Sequence, residues 1–335
     1  MVDKRAILVI FFAIVASSLV FASVFLRVPP SSDDTVLHEE RWGIYALTLD
    51  TGNVELLFST SLKINGLRLN SEGDIFALNQ EIQDTSDECV SEGTLINLCE
   101  EICTVDVDGS NFKRLTWNEF LDVYPAWSPD GSKLAFLTMR NTTLDIYLME
   151  ADGSNVEVLY DSGFHDGDID WVGEKIVFTR NSQIWIMNAD GTEPIQVTSP
   201  PRAGEWGDAV LPFGDYDPRL SPDGTKIIFE RLEDDETTHG NYNIYIVNVD
   251  GTRETALTST GFTQGFATWS REGDRIAYLV GATGETGVYD IYLMNADGTD
   301  NRNVTPSYFP ANFLCYTPIF SSDGSKIYFI GEWYS

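Results

Sequence analysis

The chain is short of positive charge. Against 52 aspartates and glutamates it carries 21 lysines and arginines, for a net charge of −31. Nucleic-acid binding, which requires Lys and Arg to neutralise phosphates, is excluded as a main function, and so is docking flat on anionic lipid. Cationic partners and divalent ions stay compatible with such a surface. Histidine is scarce: His38, His165 and His239 are widely separated, too few and too scattered for a histidine-rich metal centre. The sequence has no G-x-S-x-G, so the nucleophile elbow of a serine hydrolase is missing. "DVDGSN", from Asp106 to Asn111, resembles a calcium loop only superficially, because the distal bidentate glutamate is absent at the expected spacing.

What the chain has instead is repetition. "YPAWSPDGSKLAFLTMRNTTLDIYLMEADGSNVEVL" runs from Tyr124 to Leu159 and contains two kinds of tight turn between short apolar runs. In "SPDG" the proline presets φ, the aspartate bonds nearby backbone and the glycine supplies positive φ, which reads as a hairpin. "DIYLME", "ADGSN" and "VEVLY" read as a second hairpin, so one repeat predicts four antiparallel strands. The first turn recurs at Gly73, Gly131, Gly173, Gly224, Gly273 and Gly324, the second at Gly52, Gly109, Gly153, Gly191, Gly251 and Gly298. Six four-stranded units of this period are the signature of propeller blades. The chain enters at "GIYALTLDTGNVELLF" with only the second hairpin and exits at "YTPIFSSDGSKIYFIGEWYS" with only the first. The two halves complete one blade and remove the edges that an open stack would leave unpaired. The expectation is an all-β, six-bladed β-propeller of four-stranded antiparallel blades over residues 41–335, closed by its terminal hairpins.

The pattern P-x-W-S-P-D-G-x-K-L-A-F followed by D-I-Y-L-M-x-A-D-G-S-N resembles the repeat of TolB-type propellers, which is also seen in the propeller domains of prolyl-oligopeptidase-like and tricorn-like proteases. The resemblance covers nearly all of residues 41–335 and implies the fold and an envelope-associated role. The α/β domain that precedes the propeller in TolB itself finds no counterpart in the sequence. In its place stands an uncharged stretch from Ala6 to Leu26, long enough to span a bilayer as a helix, with Lys4 and Arg5 before it. Residues 1–27 are expected to form a transmembrane anchor with a cytoplasmic N-terminus, residues 28–40 a polar tether, and the propeller to lie outside the cytoplasm. A signal peptide cleaved before Ser23, giving a secreted protein, is the alternative. Export suits the four cysteines, Cys89, Cys99, Cys103 and Cys315. Three pairings are open to them; a local bridge between Cys89 and Cys99 is expected, with Cys103 as a buried free thiol. Asn141 and Asn303 sit in N-x-T sequons.

Antiparallel geometry puts all the short turns on one rim and every other connection on the opposite rim, where the long insertions fall. Binding is expected on that loop face and at the channel mouth. The candidates are Asp122, Tyr124, His165, Asp166, Asp168, Trp206, Phe213, Asp215, Asp217, Gln264, Phe266, Tyr308, Phe313 and Tyr316, a mixture of carboxylates and aromatics suited to a peptide, a basic protein segment or a sugar. No cofactor is expected; a divalent cation held by Asp122, Asp166 and Asp215 is the leading alternative, ahead of a calcium site at Asp106–Asn111. The function read from these residues is non-enzymatic binding of a protein or peptide, cationic in keeping with the surface. The alternative is a hydrolase or lyase using the mouth carboxylates as acid and base on a saccharide or peptide.

Overall fold

A computed structural model describes residues 41–82, 100–206, 211–233, 241–281, 289–310 and 312–333. The anchor, the tether and the Cys89–Cys99 bridge lie outside the described residues. Among those described, no helix is long and apolar enough to cross a membrane.

The chain begins with β1 (Trp42–Thr48) and β2 (Val54–Thr60), and then builds five blades in sequence. These are β3 (Ile64–Leu69), β4 (Ile75–Glu81), β5 (Glu100–Asp106) and β6 (Lys113–Arg114); β7 (Asp122–Trp127), β8 (Lys133–Thr138), β9 (Asp145–Glu150) and β10 (Glu157–Tyr160); β11 (Asp166–Val172), β12 (Lys175–Arg180), β13 (Gln183–Asn188) and β14 (Ile195–Gln196). The fourth and fifth are β15 (Gly214–Leu220), β16 (Lys226–Glu233), β17 (Asn241–Asn248) and β18 (Thr255–Ala256), then β19 (Gln264–Trp269), β20 (Arg275–Gly281), β21 (Tyr289–Asn295) and β22 (Arg302–Asn303). Finally β23 (Phe313–Phe320) and β24 (Lys326–Trp333) join the first two strands in the order β2-β1-β24-β23. The seam is antiparallel and continuous from Trp42 opposite Glu332 to Thr48 opposite Lys326. The sixth blade is therefore shared between the two ends of the described chain, as the half-repeats require.

All twelve turn glycines adopt positive φ. In the "DGS" and "DGT" turns the aspartate Oδ1 accepts the amide two residues on, as at Ser110 N to Asp108 (2.9 Å), Ser132 N to Asp130 (3.0 Å) and Ser325 N to Asp323 (3.0 Å). Hydrogen bonds from the Ser128 and Ser321 hydroxyls, joined by those from the Ser132 and Ser325 amides, hold the Asp130 and Asp323 carboxyls at about 2, below the ordinary aspartate value. The core lies between blades. One aromatic of the second strand of each blade, Phe76, Phe136, Phe178, Phe229, Tyr278 or Phe329, is almost wholly buried there. The fourth strands are short, and threonine side chains extend them. Thr116, Thr198, Thr258 and Thr305 each accept the amide of a third-strand isoleucine fourteen residues earlier, at 2.9, 3.0, 2.9 and 2.7 Å.

Every innermost strand is bulged. The register slips between Asn65 and Arg68, Val123 and Ala126, Gly167 and Asp170, Tyr216 and Arg219, Gly265 and Thr268, and Tyr316 and Ile319. The residue that turns the chain there, Gly66, Tyr124, Asp168, Asp217, Phe266 or Thr317, has φ between 47° and 65°. Five of the six are not glycine, so the surrounding packing must stabilise a backbone conformation that side chains disfavour. Proline follows at Pro125, Pro218 and Pro318, where an unpaired bulge residue needs no N–H.

Candidate functional site

The expected mouth carboxylates prove to be held inside their blades. Asp122, Asp166 and Asp215 lie at the start of the innermost strands β7, β11 and β15, and all three are fully buried. Each meets an arginine from beside or within the second strand of its own blade. Arg180 Nε donates to Asp166 at 2.6 Å, and Arg231 grips Asp215 with Nε (2.6 Å) and Nη2 (2.9 Å). Arg140 Nη2 reaches Asp122 at 2.9 Å, and Asn118 Nδ2 adds a bond to the same oxygen at 2.7 Å. Burial raises all three carboxyls, Asp166 to about 6, while the arginines oppose the rise. The expected exposed anionic ring is thus not formed by these residues, because each charge is neutralised within its own blade. Nor do they gather round an ion, and among the described residues no cluster of three or more His, Cys, Asp or Glu is arranged to hold one.

The other candidates divide by burial. Trp206 and Tyr308 are exposed. The Tyr308 hydroxyl donates to the Gly52 carbonyl at 3.2 Å, in the turn between β1 and β2, so this ring flanks a seam between blades rather than the axis. His165 is half-buried; its Nδ1 accepts the Leu144 amide at 3.0 Å, and burial lowers its pKa. Phe213 is buried with the Arg202 guanidinium 4.3 Å over its ring. Phe313 belongs to an aromatic cluster with Tyr45, Phe309, Phe329 and Trp333. Tyr316 stacks on Trp42 and donates to Glu332 Oε2 at 2.8 Å, and Gln264 donates to the Phe262 carbonyl at 2.9 Å. Cys103 and Cys315 are buried free thiols, and the Asn141 and Asn303 side chains are exposed.

Two features escaped the sequence reading in whole or in part. The first is that five successive connections between blades each present an exposed aromatic: beside the expected Trp206 and Tyr308, these are Trp117, Phe164 and Phe262. Trp117 is the most open, at 73 %, with Arg114 packed 4.0 Å over its ring. The second is an axial cavity of about 360 Å³. Its lining takes in Ser71, Pro129, Gly173, Pro222, Arg271 and Ser322, one residue from each first turn, so it opens on the rim of short turns rather than on the loop face. Arg271 reaches across the opening to donate to the Ser71 carbonyl at 3.2 Å.

The bulge residues Tyr124, Asp168, Asp217 and Phe266, expected as mouth residues, instead tie one blade to the next. Asn79 accepts the Tyr124 amide at 3.3 Å, Asp168 accepts the Asp217 amide at 3.3 Å, and Glu230 accepts the Phe266 amide. Asp217 also pairs with Arg219 at 2.6 Å. Burial and the neighbouring Asp217 charge drive Asp168 up to about 6 and Glu230 well above the usual range.

No family model matches the sequence. A TolB homolog of Chlorobium luteolum is 27% identical over 161 residues, and the Tol-Pal system protein TolB of Desulfosudis oleivorans 26% over 114 residues. Among solved structures, a putative TolB from Agrobacterium tumefaciens superposes with a TM-score of 0.65 at 17% identity, covering 88% of this chain and 99% of that one. The chain is thus similar to TolB propellers in sequence and shares their fold. An uncharacterised protein of Agrobacterium fabrum, Atu1656, is 25% identical over 247 residues, 64% of this chain and 80% of its own length. The alignments cover 47% and 32% of this chain but only 33% and 25% of the two TolB relatives, so the likeness is confined to the part of them that the TolB-like propeller matches. An oligogalacturonate lyase in complex with manganese has a similar fold, with a TM-score of 0.50 at 11% identity.

Proposed function

We propose that this TolB-like propeller is a membrane-anchored, extracytoplasmic binding module whose loop face docks a protein or peptide. The observation that carries the reading is the run of exposed aromatics on four successive connections between blades, Trp117, Phe164, Trp206 and Phe262. Large rings held on a rigid scaffold supply binding area at low entropic cost, and aromatic residues dominate protein interfaces. The net charge of −31 favours a partner with basic rim residues, through faster encounter more than tighter binding. The Tol-Pal system protein among the relatives supports an envelope-associated setting, and the apolar stretch from Ala6 to Leu26 the anchor.

The alternative, a carboxylate-based hydrolase or lyase, requires an accessible acid and base. Asp168, Asp217 and Glu230 are each less than a tenth exposed and bond to Arg219 or to backbone amides of neighbouring blades, which is why binding is preferred. The test is cross-linking in native membranes, comparing the natural protein with a Trp117→Ser, Phe164→Ser, Trp206→Ser variant of equal Tm. A specific cross-linked partner lost in the variant supports the reading, and an unchanged cross-linking pattern overturns it. Recovery of the natural protein in the soluble exported fraction, beginning at Ser23, overturns the anchor.

A further inference from the structure

The axial cavity holds an unfinished set of charges. Arg68, from β3, is 8% exposed and lines it. Its Nη1 donates to the Leu67 carbonyl at 2.9 Å, but Nε and Nη2 find no partner among the described residues. A buried guanidinium with two idle donors is costly, since charges removed from water need compensating hydrogen bonds. Arg68 stays protonated at neutral pH, although burial and the nearby Arg219 lower its pKa to about 10. On β11, two blades along, Asp170 also lines the cavity; it is only half-buried, and it accepts the Leu220 amide at 2.9 Å. No ion pair joins Arg68 to Asp170, yet each feels the other's charge. The gap between them exceeds direct hydrogen-bond reach.

Charge balance narrows what could fill that gap. A simple anion would be added to a site already surrounded by Asp168, Asp170 and Asp217, whereas a simple cation would have to pass Arg271 at the opening and sit near Arg68 and Arg219. A zwitterion adds no net charge and offers an acceptor to one end and a donor to the other. The rest of the wall sets apolar Leu220, Phe266, Trp269 and Ile319 among polar groups such as Asn70, Thr268 and Thr317, and the volume suits a small molecule rather than a protein domain.

We propose that the axial cavity binds a free α-amino acid with an apolar side chain, its carboxylate on Arg68 and its ammonium on Asp170. The site lies on the rim opposite the aromatic connections, so it stands or falls independently of the docking reading. The test is calorimetric titration of the full-length protein in detergent with L-leucine and L-phenylalanine, each beside its N-acetyl and carboxamide derivatives. The free amino acids are expected to bind, and blocking either charged group to weaken binding at least about tenfold, because a site built to hydrogen-bond a group rejects analogues lacking it. Arg68→Gln is expected to abolish binding while leaving Tm equal or higher, since it removes an uncompensated buried charge. Absence of binding by both amino acids at about 10 mM overturns the proposal. So does equal binding of the blocked derivatives, a comparison that needs no variant to fold.

Discussion

At the scale of single residues, the aspartates that recur at the head of innermost strands were legible as a pattern but not as ion pairs. The partner arginines lie in or beside the second strand, and the register that sets Asp166 opposite Arg180 and Asp215 opposite Arg231 cannot be read from spacing alone, because the intervening segments differ in length. The pairing makes a stability prediction. Arg231→Met leaves the buried Asp215 carboxylate without its two-pronged partner and frees Glu254, which Arg231 also binds at 2.6 Å. The expected loss is about 3–5 kcal/mol, measured by urea unfolding, and adding Asp215→Leu should recover most of it, because an apolar pair replaces a buried ion pair at little cost. A single variant as stable as the natural protein would show that Asp215 is solvated after all.

At the scale of the element, the turns were the most legible part of the molecule, since their glycines answer a local steric demand. Their surroundings were not legible. Gly109 and Gly52 occupy equivalent turns with φ of 82° and 69°. A Cβ on Gly109 would lie 1.9 Å from the Leu57 carbonyl oxygen of the neighbouring blade, whereas one on Gly52 meets nothing within 4 Å. Gly52→Ala should therefore cost only the backbone term of about 1–2 kcal/mol, and Gly109→Ala should cost clearly more, because the two blades must part. Equal shifts in Tm would mean that the turn is free to move away. The bulges went unread because their cause is tertiary: the Phe266 amide is held by Glu230 of the preceding blade, a partner no local pattern supplies. The prolines after Tyr124, Asp217 and Thr317 were the available signal.

At the scale of the whole molecule, the ring as a unit was legible because two incomplete repeats have to complete each other, while the position of its cavity depends on side chains meeting at the axis from blades far apart in sequence. The titration behaviour is global too. Asp166 and Asp168 titrate at about 6 in the folded protein, against an ordinary value of 3.8. Between those values the native state holds more protons than the unfolded chain, so this contribution to stability is complete below 3.8 and is lost as pH rises through about 6. Asp130 and Asp323 act in the opposite sense, and their contribution is lost only as pH falls towards about 2. Tm should therefore be higher near about pH 5 than at neutrality. Asp168→Asn, which leaves Asp217, Arg219, Glu230 and Arg68 around it, should reduce the difference; a Tm that instead rises steadily from acid to neutral pH would contradict the assignment. Deleting residues 42–60 should lower Tm sharply by baring the edge of β24, and an unchanged Tm would mean that the seam contributes little. The seam also bears on biogenesis. β1 and β2 are synthesised before the five blades that separate them from their partner β24, so their hairpin must wait with one edge open until β24 emerges. Contacts between such distant segments make folding slow, and an early stop codon anywhere before β24 should yield a chain that proteases recognise, whichever blades it already contains.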